Sequence, residues 1–217
     1  MDDEFEDVYS PETDKVLERV AERLAVRFIG HFSTETIKRY LRESYVALYR
    51  TARVKSHLHV LAERFATDRL TALAQAQGYI PKAVPEVLFV CTHNAGRSQM
   101  AAALLNYHAR GRVHIRTAGS EPASDIEPTV VEALAEIGLD ASAEFPKPLT
   151  DDVIRAADVI VTMGCGDACP IHPGKRYLDW TLPDPHGQAL DEVRAIRDQV
   201  DTHVRGLLYE LTLSTAH

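Results

Sequence analysis

The 217-residue sequence is poor in cysteine, lacks a long apolar run and carries no excess of positive charge. Three cysteines, an odd number, give no framework of paired structural disulfides. In a reducing compartment such thiols are more often catalytic or metal-binding than structural. No stretch is long and apolar enough to span a bilayer, so no membrane partner is expected. The opening Met1-Asp2-Asp3-Glu4-Phe5-Glu6-Asp7 is acidic and lacks the basic-then-apolar order of a secretion signal, which predicts a cytoplasmic protein. Lys and Arg number 24 against 32 Asp and Glu; through Lys82 the count is 13 of each, so the whole excess of eight negative charges follows that point. A nucleic-acid binder needs a basic face, and none is indicated. An anionic ligand would have to be held by a local positive field rather than by the net charge. There is no internal repeat and no low-complexity tract.

What is present divides into two parts. The first, residues 1–84, reads as an all-α three-helix bundle with its linker. Leu17, Val20, Leu24 and Phe28 recur at helical spacing. Ser10-Pro11-Glu12 gives a start signal and Gly30 a stop. A second start at Ser33-Thr34-Glu35 precedes a stripe of Ile37, Leu41, Tyr45 and Leu48. A third stripe holds Leu58, Leu61, Phe65, Leu70 and Leu73 and stops at Gly78. Short connections suggest a bundle, and Pro81 and Pro85 mark the linker.

The second part, residues 85–217, alternates strand and helix. Val87–Val90, Val113–Thr117, Asp158–Met163 and the short Arg176–Trp180 read as strands. Between them fall a helix with Met100, Leu104 and Tyr107 on one face, a helix from Pro128 to Ile137 and a short one from Asp151 to Ala157. Val193, Ile196, Val200, Val204, Leu207 and Leu211 stripe a long last helix. This order predicts an α/β fold: a parallel four-stranded sheet with helices on both faces.

The segment Val90-Cys91-Thr92-His93-Asn94-Ala95-Gly96-Arg97-Ser98 carries the chemistry. A β-branched run ends in a cysteine; five residues intervene before an arginine, and a helical pattern starts there. Ligand sites of doubly wound sheets lie at such strand ends. Asn94 and Gly96 tolerate the left-handed backbone that a tight loop needs. The helix behind the loop offers free N–H groups and the positive end of its dipole to an anion. Arg97 can grip two oxygens with its planar fork. The same field favours the thiolate of Cys91, and Ser98 can donate to it. Residues 92–98 form the expected oxyanion cradle, with His93 either tuning the thiol or facing solvent.

Two further segments bear on this loop. Gly164-Cys165-Gly166-Asp167-Ala168-Cys169-Pro170 sets two thiols just past a strand that should end at the same sheet edge as Cys91, which suggests thiol–disulfide exchange. With His172 the pair has ligand types at near-zinc spacing, but a structural site needs a fourth ligand and none is close in sequence, so no metal and no cofactor are expected. Asp184, between Pro183 and Pro185, is held extended and can protonate a departing oxygen if it lies near the anion. A plain Asp-Pro turn is the commoner explanation on spacing alone.

Together these segments resemble the thioredoxin-coupled arsenate reductases, a family that shares the low-molecular-weight tyrosine phosphatase fold. The resemblance covers about Glu86 to Leu211 and rests on Cys91 through Ala101, on Val161-Thr162-Met163 with Cys165, Cys169 and Pro170, and on Asp184-Pro185. It implies Cys91 as nucleophile, Arg97 as oxyanion clamp, Asp184 as general acid and Cys165 and Cys169 as successive thiols of a disulfide relay. Arsenate would be the substrate, and thioredoxin or a mycoredoxin-like dithiol protein the reductant. Some members hold a potassium ion through an acidic residue where Ala102 and Ala103 stand here, so no such site is expected. The alternatives are a low-molecular-weight tyrosine phosphatase, whose usual tyrosines after Asp-Pro are replaced by His186-Gly187, and a mycothiol-dependent reductase, which would need no resolving pair.

Overall fold

The computed structural model describes residue 8 and residues 10–164 and 170–214. The chain forms two compact units, Met1–Pro81 and Lys82–His217.

The first unit holds helices α1 (Pro11–Arg27), α2 (Thr34–Tyr49) and α3 (Leu58–Ala76), each packed against the other two. Ser10 Oγ accepts from Thr13 N at 3.1 Å and Ser33 Oγ from Thr36 N at 3.2 Å, the hydroxyl caps that satisfy orphan first-turn amides. The expected stripes of α1 and α2 are buried. In α3 the expected Leu61 and Leu73 are only half-buried, while Ala62, Ala66, Ala72 and Ala74 are sealed inside. Small side chains let the helices approach closely, so the buried face turns toward alanines that a hydrophobic-stripe reading passes over. Arg69 is also buried. Its guanidinium binds Ser44 Oγ at 3.2 Å and Glu43 at 3.1 Å and lies 4.5 Å from the Tyr40 ring centre.

The second unit is a parallel sheet of β1 (Glu86–Cys91), β2 (His114–Gly119), β3 (Val159–Met163) and β4 (Arg176–Asp179), in the order β2-β1-β3-β4. The connecting helices are α4 (Arg97–Ala109), α5 (Pro128–Ala135) and α6 (Asp151–Ala156), and α7 (Leu190–Ser214) ends the described chain. β1 is buried along its whole length, as a central parallel strand must be. Its odd residues Val87, Phe89 and Cys91 join Val159, Val161 and Met163 of β3 in one cluster with Met100, Leu104, Val193 and Val200 from α4 and α7. Leu88, Val90 and Ile160 point the other way by strand alternation, where α6 packs on β1.

The strand order reverses at β1, which sends its following helix toward β2 on one side and has β3 on the other. The crevice beyond the carboxyl ends of β1 and β3 is therefore the topological switch point. Two sequence expectations change here. Strand two runs His114–Gly119 rather than Val113–Thr117. Tyr107 does not share the inner face of α4 with Met100 and Leu104, being 55% exposed; Leu105 and Ala109 are buried in the cluster instead.

Leu104→Ala should cost about 2–5 kcal/mol, because the residue is 2% exposed in the middle of that cluster. Urea unfolding followed by fluorescence of Trp180 reads the second unit specifically, since this indole packs 5.6 Å from the Phe89 ring. An unchanged midpoint would contradict the packing described.

Candidate active site

The site grows from the way β1 passes into α4. Cys91, the last residue of β1, is paired across the sheet with Gly119 and Met163. The chain then turns through Asn94, whose φ of 49° is left-handed as its residue type allows, and starts α4 at Arg97. Gly96 precedes the helix without any side-chain cap, which leaves the positive end of α4 open toward the loop. The carbonyls of this loop are all engaged elsewhere. Ser120 N donates to Cys91 O (3.2 Å), Glu121 N to Thr92 O (2.8 Å), Ala123 N to His93 O (2.9 Å) and Glu127 N to Ala95 O (3.0 Å). Gln99 Nε2 donates to Asn94 O at 3.0 Å. Their negative ends are thereby kept off the space above Cys91, as an anion-binding nest requires.

Asn94 sets the polarity beneath the nucleophile loop. Its Oδ1 accepts from Lys147 N at 2.8 Å, and a backbone N–H can only donate. The side-chain amide must then present its NH2 to Ser98 Oγ, at 2.8 Å. Having accepted there, the Ser98 hydroxyl has its hydrogen free for Cys91 Sγ, 3.0 Å away. Asn94 and Ser98 are fully buried and Cys91 is 2% exposed, so this chain of donors is shielded from water.

Arg97 is the charged member. Its Nη2 donates to Asp184 Oδ2 at 2.6 Å and its Nη1 to Leu182 O at 3.3 Å. Asp184 spends its other oxygen, Oδ1, on His186 N at 3.0 Å. The acid loop lies tight on the nucleophile loop: a Cβ on Gly96 would stand 2.4 Å from Pro185 Cγ. That contact, and not a left-handed backbone, is why glycine is needed there, since φ at Gly96 is −134°. Gly164 and Gly119 are equally constrained. A Cβ on Gly164 would meet Arg97 Nη1 at 2.8 Å, and one on Gly119 would meet Thr92 O at 2.7 Å.

One pocket is lined by Cys91, His93, Ala95, Gly96, Arg97, Glu127, Asp184 and His186. Of the residues singled out in the sequence, Cys91, His93, Ala95, Gly96, Arg97 and Asp184 thus meet in space, with Asn94 and Ser98 directly below. Thr92 turns outward and donates to Gly164 O at 2.9 Å. Cys165 and Cys169 lie outside the described residues. Sequence reasoning passed over Glu127 and noted His186 only as standing where the phosphatases carry a tyrosine. The His186 imidazole is hydrogen-bonded through Nδ1 to Glu127 Oε1, and that partner raises its pKa above the ordinary histidine value. The ring centres of His93 and His186 are 6.2 Å apart. Reasoning also missed Lys147 and Thr117, which hold Asn94 from distant parts of the chain, and the part played by nearby Gln99, whose amide donates to the same oxygen. Among the described residues, no group of three or more His, Cys, Asp and Glu side chains can hold a metal ion. His172 pairs with Asp151 at 3.3 Å. No helix of the described residues is long and apolar enough to cross a membrane.

A thiol under an open helix end, with a guanidinium and a carboxyl in the same pocket, can bind a tetrahedral oxyanion and attack it. The fold and this site define a phosphatase-type cysteine enzyme. Residues 86–216 match the low molecular weight phosphotyrosine protein phosphatase family, and the chain belongs to that family. Residues 17–74 match the protein-tyrosine-phosphatase-like N-terminal domain. The thioredoxin-dependent arsenate reductase Cg_ArsC1' of Corynebacterium glutamicum superposes with a TM-score of 0.83 at 53% identity, over 92% of this chain and 98% of that one. A putative arsenate reductase of Halobacterium salinarum is 37% identical over 56% of this chain and 89% of its own. A glutaredoxin arsenate reductase of Synechocystis is 32% identical over 58% and 98%.

Gly96→Ala should push Pro185 off the nucleophile loop and draw Asp184 from Arg97, lowering turnover on the order of 10²-fold for an ångström-scale misplacement. A crystal structure of the variant with an unmoved Pro185, or full activity, would contradict the contact.

Proposed function

We propose that the protein reduces arsenate to arsenite in the cytoplasm, using Cys91, Cys165 and Cys169 in turn. The reading is carried by one observation: Cys91 Sγ lies 3.0 Å from the Ser98 hydroxyl, in a pocket shared with the Arg97–Asp184 pair. The likeness to reductases of the same two-part build supports it. In this reading the catalytic domain is residues 85–217 and the helical domain residues 1–84.

Arsenate carries the charge and the oxygens that the cradle of residues 92–98 can receive. It takes Arg97 from Asp184, and the released carboxyl stands beside the bound anion. Cys91 thiolate attacks arsenic, an oxygen leaves, and Asp184 gives it a proton. Cys165 thiolate then attacks the Cys91 sulfur. The pair of electrons in the sulfur–arsenic bond passes to arsenic, which departs as arsenite, and a Cys91–Cys165 disulfide forms. Cys169 attacks Cys165, freeing Cys91 as thiolate. The Cys165–Cys169 disulfide is reduced by thioredoxin or a similar dithiol protein. Gly164, the last described residue before these two cysteines, accepts a hydrogen bond from Thr92 of the nucleophile loop at 2.9 Å, which supports a relay segment that starts beside the cradle. The same nucleophile, arginine and acid favour a slow side reaction, hydrolysis of an aryl phosphate, as in the family's phosphatases.

Cys91→Ser should abolish reduction. Cys165→Ser and Cys169→Ser should allow at most a single turnover when thioredoxin is the only reductant. Disulfide mapping by mass spectrometry after one equivalent of arsenate checks this: wild type should accumulate Cys165–Cys169, and Cys169→Ser should accumulate Cys91–Cys165. Full-rate cycling of Cys169→Ser with thioredoxin alone would overturn the relay and favour a small-thiol route such as mycothiol.

A further inference from the structure

We propose that His186, held by Glu127, is a positioning and specificity residue that narrows the mouth of the cradle to small inorganic oxyanions and adds a positive charge facing Arg97 across the pocket. The inference deepens the arsenate reading and rests on it for the identity of the substrate.

The geometry is specific. Glu127 immediately precedes α5, yet its carboxylate does not cap that helix. It turns instead to the His186 imidazole. A carboxylate can only accept, so Nδ1 is the donor. Glu127 is itself fixed to the nucleophile loop by its backbone, which donates to Ala95 O at 3.0 Å. The ion pair therefore ties the acid loop to the nucleophile loop at a second point, beyond the packing of Pro185 on Gly96. It acts two residues from Asp184, whose carboxylate accepts from the His186 amide at 3.0 Å.

The consequences for a ligand are steric and electrostatic. His186 and His93 line the pocket with their rings 6.2 Å apart, and the His186 side chain is 70% exposed at its mouth, whereas deeper in the Arg97 side chain is 9% exposed and Cys91 2%; Glu127 and Asp184 line the same pocket. These are the titratable and charged groups that face the imidazole. A compact anion fits beneath the rim, whereas an aryl ester must carry its ring out through it. Bonding to Glu127 holds the imidazole in its charged form to higher pH than a free histidine, and Asp184 adds to this in the same direction. That charge is complete at low pH and lost as pH rises through the raised value. The pair is exposed, so its effect on affinity should be a few-fold rather than orders of magnitude.

Protection of Cys91 from alkylation tests the proposal without any turnover. The full-length protein is treated with iodoacetamide, with and without inorganic phosphate, sulfate or phenyl phosphate, and the Cys91 peptide is quantified by mass spectrometry. Sulfate keeps a constant charge across the range and isolates the protein's titration. Wild type should be protected better by phosphate than by phenyl phosphate, and its sulfate protection should weaken as pH rises through the histidine range. His186→Ala should weaken phosphate and sulfate protection about threefold, improve phenyl phosphate relative to phosphate and flatten the pH dependence. His186→Arg should restore sulfate protection with no titration. Glu127→Gln should move the limb to lower pH. Should His186→Ala misfold by circular dichroism, His186→Gln carries the same expectation. Unchanged selectivity and an unchanged pH profile in these variants would overturn the proposal. A wild type that protects as expected but fails to reduce arsenate would overturn the functional reading alone.

Discussion

The site depends on the hydrogen bonds that converge on one buried asparagine oxygen. Lys147 N donates to Asn94 Oδ1, as do Gln99 Nε2 and Thr117 Oγ1, and these donors fix which way the asparagine amide faces. Everything nearer the sulfur inherits its direction: the NH2 turned to Ser98, the serine hydrogen turned to Cys91. With the amide reversed, Ser98 would donate to Asn94 and offer Cys91 only lone pairs, which repel a thiolate. The same asparagine supplies the left-handed turn that begins the cradle. Backbone shape and donor polarity therefore come from one residue, and both require it to be buried where water cannot compete.

A second constraint is the closeness of the loops. Gly96, Gly119 and Gly164 each sit where a Cβ would come within 3 Å of a neighbour: the Pro185 ring, the Thr92 carbonyl and the Arg97 guanidinium respectively. They lie on three separate segments that converge on the cradle. The guanidinium is bound by Asp184 and the Leu182 carbonyl. On the proposed reading an anion would exchange with Asp184 for Arg97, which would release the carboxyl beside the ligand.

The fold and the inner cradle were legible in the sequence because their signals are local. Strand β1, the turn and the start of α4 are consecutive, so Cys91, Asn94, Arg97 and Ser98 appear together in one short segment. The four parallel strands followed from alternating apolar runs. What was not legible joins distant segments. Glu127 and His186 are 59 residues apart, and Asn94 and Lys147 are 53 apart; neither pairing leaves any mark in residue type. Gly96 was read as a conformational glycine, but its partner is Pro185, which only the tertiary structure brings near. Tyr107 was assigned inward on helical spacing, although Leu105 and Ala109 fill the inner face. The alanines of α3 escaped notice for a related reason. A residue can be central to packing because it is small, and hydrophobic periodicity weights size.

Burial of the sulfur also constrains how electrons can reach it. Cys91 is 2% exposed, in a pocket lined by the Arg97–Asp184 pair and, nearer its mouth, the His186–Glu127 pair. A folded dithiol protein presents its thiol from a surface and needs access to the sulfur it attacks. It cannot meet Cys91 in this arrangement without dismantling the pocket that binds the anion. A small thiol could slip in, or a segment of the same chain could deliver one. In the proposed relay the chain itself supplies such a segment: the Gly164 carbonyl accepts a hydrogen bond from Thr92, and the next residue in sequence is a cysteine. An intramolecular carrier removes the conflict between a site closed tightly enough to bind an oxyanion and a reductant too large to enter it. In the relay proposed above, a second thiol, Cys169, takes over the disulfide and frees Cys91 for the next anion.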